Sequence, residues 1–224
     1  MKKVFIVFGP PGSGKGTQAA LLADRFLLVN FDTGAYLEDI FRHWDGKDKG
    51  IGKEKKLFDS GKLCTPEWVM RVVNKRVKQL ARARIGLVFS GSPRTIYDAF
   101  GEPKKIDGVM DTLSTEYSKE NITVFHLDVP EKESLKRNTS RLVCSVCKRQ
   151  VLGIVKIKVC PFCGGPLRKR TLDKPEVIKV RLKAYKEETL PLLKEFKNRS
   201  FKVVPIKGTG KPFNIFNSIL KSLS

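Results

Sequence analysis

The feature that most limits what this chain can fold into is Gly9-Pro-Pro-Gly-Ser-Gly-Lys-Gly-Thr17, set directly behind the apolar run Val4-Phe-Ile-Val-Phe8. The run predicts a buried strand, and Gln18-Ala-Ala-Leu-Leu-Ala23 beyond the loop predicts a helix. Glycines between them leave no Cβ to block backbone N–H groups from closing on a phosphate. The helix N-terminus adds a partial positive charge, and Lys15 adds a full one that can reach outer phosphates. The spacing fits a phosphate-binding loop, with Gly16 after Lys15 and the hydroxyl displaced to Thr17. Gly12, Ser13, Gly14, Lys15, Gly16 and Thr17 are therefore candidate phosphate-binding residues.

Beyond the loop, short apolar runs alternate with helical patterns. Leu27-Leu-Val-Asn-Phe31 predicts a second strand, with Asp32-Thr33-Gly34 as a turn or helix cap. Residues 35–62 predict short lysine-rich helices broken at Gly46, Gly50-Ile-Gly52 and Gly61, with Lys53-Glu54-Lys55-Lys56 as a solvated face. Thr65-Pro66-Glu67 is a good helix start, and Trp68, Val69, Val72, Val73, Val77 and Leu80 fall on one face beyond it. Ile85-Gly-Leu-Val-Phe89 and Val124-Phe-His-Leu-Asp-Val129 predict buried strands, the second leading into a helix over 131–141. A long helix is expected from Pro175 to about Lys197, then a strand over 201–206 and an amphipathic helix over 214–223. This alternation predicts an α/β fold, a parallel sheet flanked by helices. Ligands in such sheets sit outside the carboxyl ends of the strands, where Phe8, Phe31, Phe89 and Val129 stand.

The 44 Lys and Arg outnumber the 23 Asp and Glu, for a formal charge of +21, which implies polyanionic ligands. The basic residues are scattered and not interleaved with aromatics, so several phosphates in one cleft are expected, and nucleic acid is not. No apolar run approaches a membrane span, and Met1-Lys-Lys leads straight into a strand, so a cytoplasmic protein with no membrane partner is expected. Four of the five cysteines form two knuckles, Cys144-Ser-Val-Cys147 and Cys160-Pro-Phe-Cys163. That spacing satisfies a closed, tetrahedral, structural zinc site, though spacing alone leaves iron open. The stretch is too short for its own core, so metal would supply its folding energy. His43, His126, Trp44 and Trp68 read as packing or surface groups.

In their order along nearly the whole chain, these residues resemble the adenylate kinases, in the form with a zinc-bearing lid. The matching pieces are Gly9–Thr17, Asp32-Thr33-Gly34, Gly61-Lys62-Leu63 with Thr65, Gly91 and Pro93-Arg94-Thr95. Arg137 with Arg141, the cysteine knuckles, Arg170 with Asp173, and Arg181-Leu182 complete the series. The resemblance implies a P-loop core over 1–31, 65–139 and 174–224, an acceptor-nucleotide domain over 32–64, and a zinc-bearing lid over 140–173. It implies reversible transfer of the terminal phosphate of ATP to AMP with Mg²⁺, giving two ADP, by a monomer. Lys15, Arg94, Arg137, Arg141, Arg170 and Arg181 are implied as catalytic. Gly12–Thr17, Arg137 and Arg141 are implied for ATP. Thr33, Lys62, Leu63, Cys64, Gly91, Arg94, Asp98, Arg170 and Arg181 are implied for AMP.

The acceptor side departs from the family pattern. Glu38 stands where an arginine for the acceptor phosphate is usual, with Arg42 one turn on as a partial substitute. Ala35 and Ser90 replace carboxylates near the metal, leaving Asp32 to move in. Asp98 replaces a glutamine that reads adenine, and Leu172 the first of two lid aspartates. These departures keep two alternatives open: a kinase for another nucleoside monophosphate, or a decayed P-loop zinc protein that binds nucleotide or RNA.

Overall fold

The structure, a computed structural model, describes residues 3–147, 149–151, 157–169 and 171–223. The first half runs β1 (Val4–Phe8), α1 (Lys15–Phe26), β2 (Val29–Asp32), α2 (Thr33–Arg42), α3 (Lys49–Asp59) and α4 (Pro66–Arg82). Next come β3 (Leu87–Ser90), α5 (Ile96–Phe100), α6 (Val109–Tyr117), β4 (Ile122–Asp128) and α7 (Glu131–Ser140). Three short strands follow, β5 (Leu142–Cys144), β6 (Gln150–Val151) and β7 (Leu167–Arg168). The chain ends with α8 (Pro175–Ala184), α9 (Leu192–Asn198), β8 (Lys202–Lys207) and α10 (Pro212–Lys221).

The expected α/β fold is what forms. Five parallel strands lie in the order β2-β3-β1-β4-β8. β1 is buried at every position, as a central strand covered on both faces must be. Its alternate residues feed two cores: Val4, Ile6 and Phe8 pack with Met70, Val73, Met110 and Phe196. Phe5 and Val7 pack on the other face with Leu22, Phe125, Ile215 and Ile219. β1 has β3 on one side and β4 on the other, so the chain reverses its winding there. The loop behind β1 therefore opens into a crevice at the carboxyl edge of the sheet. Among the described residues no helix is long and apolar enough to cross a membrane.

Three sequence expectations are corrected. Gly50 and Gly52 do not break a helix; both lie inside α3, which Asp48 caps through the N–H groups of Gly50 and Ile51. A Cβ on Gly52 would stand 2.7 Å from the Trp44 ring, so the missing side chain makes room for that indole. Glu54 is not on a solvated face but 4% exposed, accepting from the Thr65 N–H at 2.7 Å and the Thr65 hydroxyl at 2.5 Å. It thereby ties α3 to the start of α4. The helix from Pro175 is not continuous to Lys197. α8 gives way to a π-helical turn over Tyr185–Thr189, closed by the Leu190 N–H on the Tyr185 carbonyl. Pro191 lacks an N–H and crowds the carbonyl four residues back, so an unbroken helix cannot pass through it.

Candidate active site

Two cavities lie along the carboxyl edge of the sheet. The first, about 570 Å³, is bounded by Phe8, Gly9, Pro11 and Lys15, by Arg94, and by Arg181 with Tyr185 and Thr189 of the π turn. The second, about 430 Å³, has apolar walls from Leu37, Phe58 and Val69, with Thr33, Lys62, Cys64 and Asp98 among its polar groups. Leu63, Gly91, Ser92 and Arg94 line both, so the two form one crevice divided at Arg94.

The loop after β1 has the conformation that its glycines predict. Gly12 sits at φ +78, and a Cβ there would lie 2.5 Å from Asn138 of α7. Ser134 of α7 also holds the loop, donating to the Pro11 carbonyl. Lys15, the first residue of α1, turns back over the loop and donates to the carbonyls of Gly9 and Pro10, both at 2.8 Å. Burial lowers its pKa well below the ordinary lysine value, and the charges of Arg94, Arg181 and Arg141 push the same way, against Asp32. The side chain is thus a cation crowded by cations, an arrangement that a polyanion relieves. The Ser13 hydroxyl and the Thr33 hydroxyl are buried with no hydrogen-bond partner among the described residues.

The arginines divide. Arg94 borders both cavities and is held by its Nε on the Gly91 carbonyl at 2.6 Å. Arg181 borders the first and donates to the Leu172 carbonyl at 3.2 Å. Arg141 grips both oxygens of Asp173, through Nε at 3.0 Å and through Nη2, and Arg181 stands 3.9 Å from the same carboxylate. The Asp173 side chain is only 1% exposed, so this pair of cations joins the end of α7 to α8. Arg137 points elsewhere in this conformation, with its Nε on Glu133 and its Nη1 on the Gly208 carbonyl. Arg170 lies outside the described residues.

Thr33, Lys62, Leu63, Cys64, Gly91, Arg94 and Asp98 all line the second cavity. The Cys64 thiol donates to the Glu54 carbonyl, and burial together with the Glu54 charge pushes its pKa up to about 12, so it packs as a neutral group. Arg42 is not among the residues that line the second cavity; its exposed side chain pairs with Asp39 at 3.5 Å. Ser90 faces Asp32 across the β2–β3 register, and its buried hydroxyl has no hydrogen-bond partner among the described residues.

Beyond α7, β5 pairs antiparallel with β6 and β7 and carries Cys144. The four sulfurs of Cys144, Cys147, Cys160 and Cys163 lie within 4.8 Å of one another, with Cys144–Cys163 at 3.5 Å and Cys147–Cys160 at 3.6 Å. These separations are far beyond a disulfide and close to the edge of a tetrahedron about one metal ion. N–H groups of Val146 and Cys147 point at the Cys144 sulfur, each at 3.4 Å, as a thiolate ligand requires. The donor set therefore fits zinc.

Residues 7–201 match the family profile described as adenylate kinase. The chain belongs to the adenylate kinase family. It is 34% identical over 220 residues to an adenylate kinase of Chlamydia pneumoniae, covering 98% of this chain and 97% of that one. It is 33% identical over 223 residues to one of Methanothrix thermoacetophila, with 98% and 97% covered. An adenylate kinase of Caldicellulosiruptor saccharolyticus is 32% identical over 223 residues, with 97% of each chain covered. The resemblance read from the motifs is thus confirmed, and the chain is a phosphotransferase.

Two residues lining the first cavity, and Glu54 behind Cys64, escaped the sequence reading. Tyr185 and Thr189 reach the first cavity only because the helix loosens into a π turn, and Pro191 was the available signal. Glu54 was hidden because its lysine neighbours face solvent while it does not. His126 is structural, as expected: its ring meets the Tyr185 hydroxyl at 3.3 Å beside Phe8.

Proposed function

We propose that the chain transfers the terminal phosphate of ATP to AMP, reversibly, giving two ADP in a Mg²⁺-dependent reaction. The observation that carries this is the single crevice in which Lys15 borders one cavity and Arg94 borders both, the two cavities having four residues in common. One cavity ends at a phosphate loop and the other is an apolar slot suited to a flat base. Two nucleotides laid in them meet phosphate to phosphate at Arg94.

Phosphoryl transfer leaves little covalent work for a protein, so positioning and charge stabilisation dominate. Amides of Gly12–Thr17 with Lys15 would take the donor phosphates, and Lys15 would exchange the Gly9 and Pro10 carbonyls for phosphate oxygens. Arg94 would grip the acceptor phosphate. Arg181 and Arg141, with Arg137 and Arg170, would close on the transferring group, since a planar guanidinium binds phosphate oxygens in pairs. Thr33, Lys62, Leu63, Cys64, Gly91 and Asp98 would hold AMP.

Mg²⁺, when bound, neutralises charge on the phosphates. It commonly takes one or two carboxylates plus phosphates, and Asp32, with Ser90 opposite it, is the carboxylate whose charge already bears on Lys15. Zinc on Cys144, Cys147, Cys160 and Cys163 would hold the lid. The core is taken as 1–31, 65–139 and 174–224, the acceptor domain as 32–64 and the lid as 140–173. Closure of the lid would exclude water and suppress ATP hydrolysis. We take the protein to be a cytoplasmic monomer.

A coupled assay of ADP formation from MgATP with AMP, GMP, CMP or UMP tests the proposal. Turnover greatest with AMP is expected. Turnover confined to another monophosphate overturns the acceptor assignment, and none with any overturns the enzyme.

A further inference from the structure

The acceptor cavity contains a carboxyl group that is only half employed. Asp98 lines its wall from α5 and is 3% exposed. One oxygen, Oδ2, accepts from the Arg94 N–H at 2.7 Å and the Ser92 hydroxyl at 3.2 Å. The other, Oδ1, is buried with no hydrogen-bond partner among the described residues. A carboxylate oxygen stripped of water and left unpaired is costly, so this atom has a reason to wait for a ligand or a proton.

The edge of adenine opposite its sugar offers an N6–H donor beside the N1 lone pair. An ionised carboxylate only accepts, and it repels N1 where water cannot screen it. A neutral carboxyl can donate, and with Oδ2 already accepting two bonds its proton belongs on Oδ1. We propose that Asp98 reads the acceptor base through Oδ1 and that AMP binds with this oxygen protonated, so that binding takes one proton from solvent. This rests on the adenylate kinase reading of the cavity and adds to it a pH-linked base contact.

The surroundings permit such protonation. Burial raises Asp98 to about 6, against the opposing pull of the Arg94 N–H, the Ser92 hydroxyl and the Arg94 charge. Lys62 and the neutral Cys64 thiol face the same cavity from the α3–α4 connection, with Glu54 behind Cys64. Glu67 of α4 is engaged with Tyr97. Asp111 of α6 accepts from the Gly108 N–H, and Arg199 after α9 lies over the Phe100 ring. None of these three contributes to the Asp98 shift. AMP that binds only the protonated form then loses affinity tenfold for each pH unit above about 6, so the complex still forms near neutrality.

The test is calorimetric titration of AMP into the full-length, zinc-replete protein and its Asp98→Asn variant from pH 5.5 to 8.5, in buffers of different ionisation enthalpy. Asparagine can keep the Arg94 and Ser92 bonds through its carbonyl and place an N–H donor where Oδ1 stood, imitating the neutral acid. The phosphate of AMP titrates near pH 6, so the readout is the ratio of the two dissociation constants. The wild-type constant should rise relative to the variant's, approaching tenfold per pH unit at the alkaline end, the limit for one proton bound with the ligand. At pH 8, where AMP is fully ionised, the wild type should take up close to one proton. That second measurement stands even where Asp98→Asn does not fold. A ratio independent of pH, or no proton uptake at pH 8, overturns the Asp98 assignment and leaves the kinase reading untouched. Failure of the wild type to bind AMP at any pH overturns both.

Discussion

Lys15 is the residue at which sequence, burial and charge meet. Its Nζ satisfies two loop carbonyls, yet burial and three guanidinium groups oppose its charge. A triphosphate offers that cation a better partner than neutral carbonyls do, and the loop reorganises little to supply it. Lys15→Met should therefore lower kcat by about 10² to 10³, the cost of losing a preorganised charge donor. Because the substitution also relieves crowding among cations, the ligand-free melting temperature should stay within a few degrees of the wild type. Steady-state kinetics beside a thermal melt checks both, and a large fall in melting temperature would make Lys15 a structural residue first. Arg94 behaves differently: its backbone is clamped by Asp98 and its Nε by Gly91, so its position is settled before any nucleotide arrives.

At the scale of elements, Glu54 joins α3 to α4, two helices that line the second cavity. Thr65 does not cap α4 with its own hydroxyl; its N–H and O–H both donate to Glu54 instead. Glu54→Ala leaves two donors unpaired in a region where Cys64 is buried, and should cost about 1–3 kcal/mol in urea unfolding. The KM for AMP should rise more than that for ATP, because Leu63 and Cys64 lose their anchor. Strands β5, β6 and β7 are two or three residues each, so this small sheet should depend on a metal held by the four cysteines. Removing zinc with a strong chelator should release about one ion per chain and abolish kinase turnover. The core should keep its main thermal transition, because the five-stranded sheet has its own two cores. Metal analysis and a melting curve before and after chelation test this.

For the whole molecule, the charge of +21 acts in two directions. It draws nucleotides toward the crevice, and it makes the folded chain repel itself. Raising sodium chloride from low concentration to about 0.5 M shortens the screening length to a few ångströms. The KM for both nucleotides should rise several-fold, while the melting temperature of the ligand-free chain should increase. A melting temperature that falls with salt would mean that the surface pairs, such as Lys55–Asp59 and Lys186–Glu131, outweigh the repulsion.

Sequence alone determined the phosphate loop, the parallel sheet and the four-cysteine cluster, because each depends on neighbours close along the chain. Glycines beside Lys15 dictate a loop, alternating apolar runs dictate strands, and two knuckles of paired thiols bring four sulfurs into one cluster. Whole-chain order carried the family. What only the tertiary structure decided depends on contacts between distant elements. Glu54 is buried because Thr65 comes to meet it, and Gly52 stands in α3 where a Cβ would meet the Trp44 ring. Arg42 pairs with Asp39, while Arg141 and Arg181 share Asp173. Side-chain direction follows from packing, and packing from which helices the sheet brings together. That is why the residue types of this site were legible in the chain, while the direction each one faces was not.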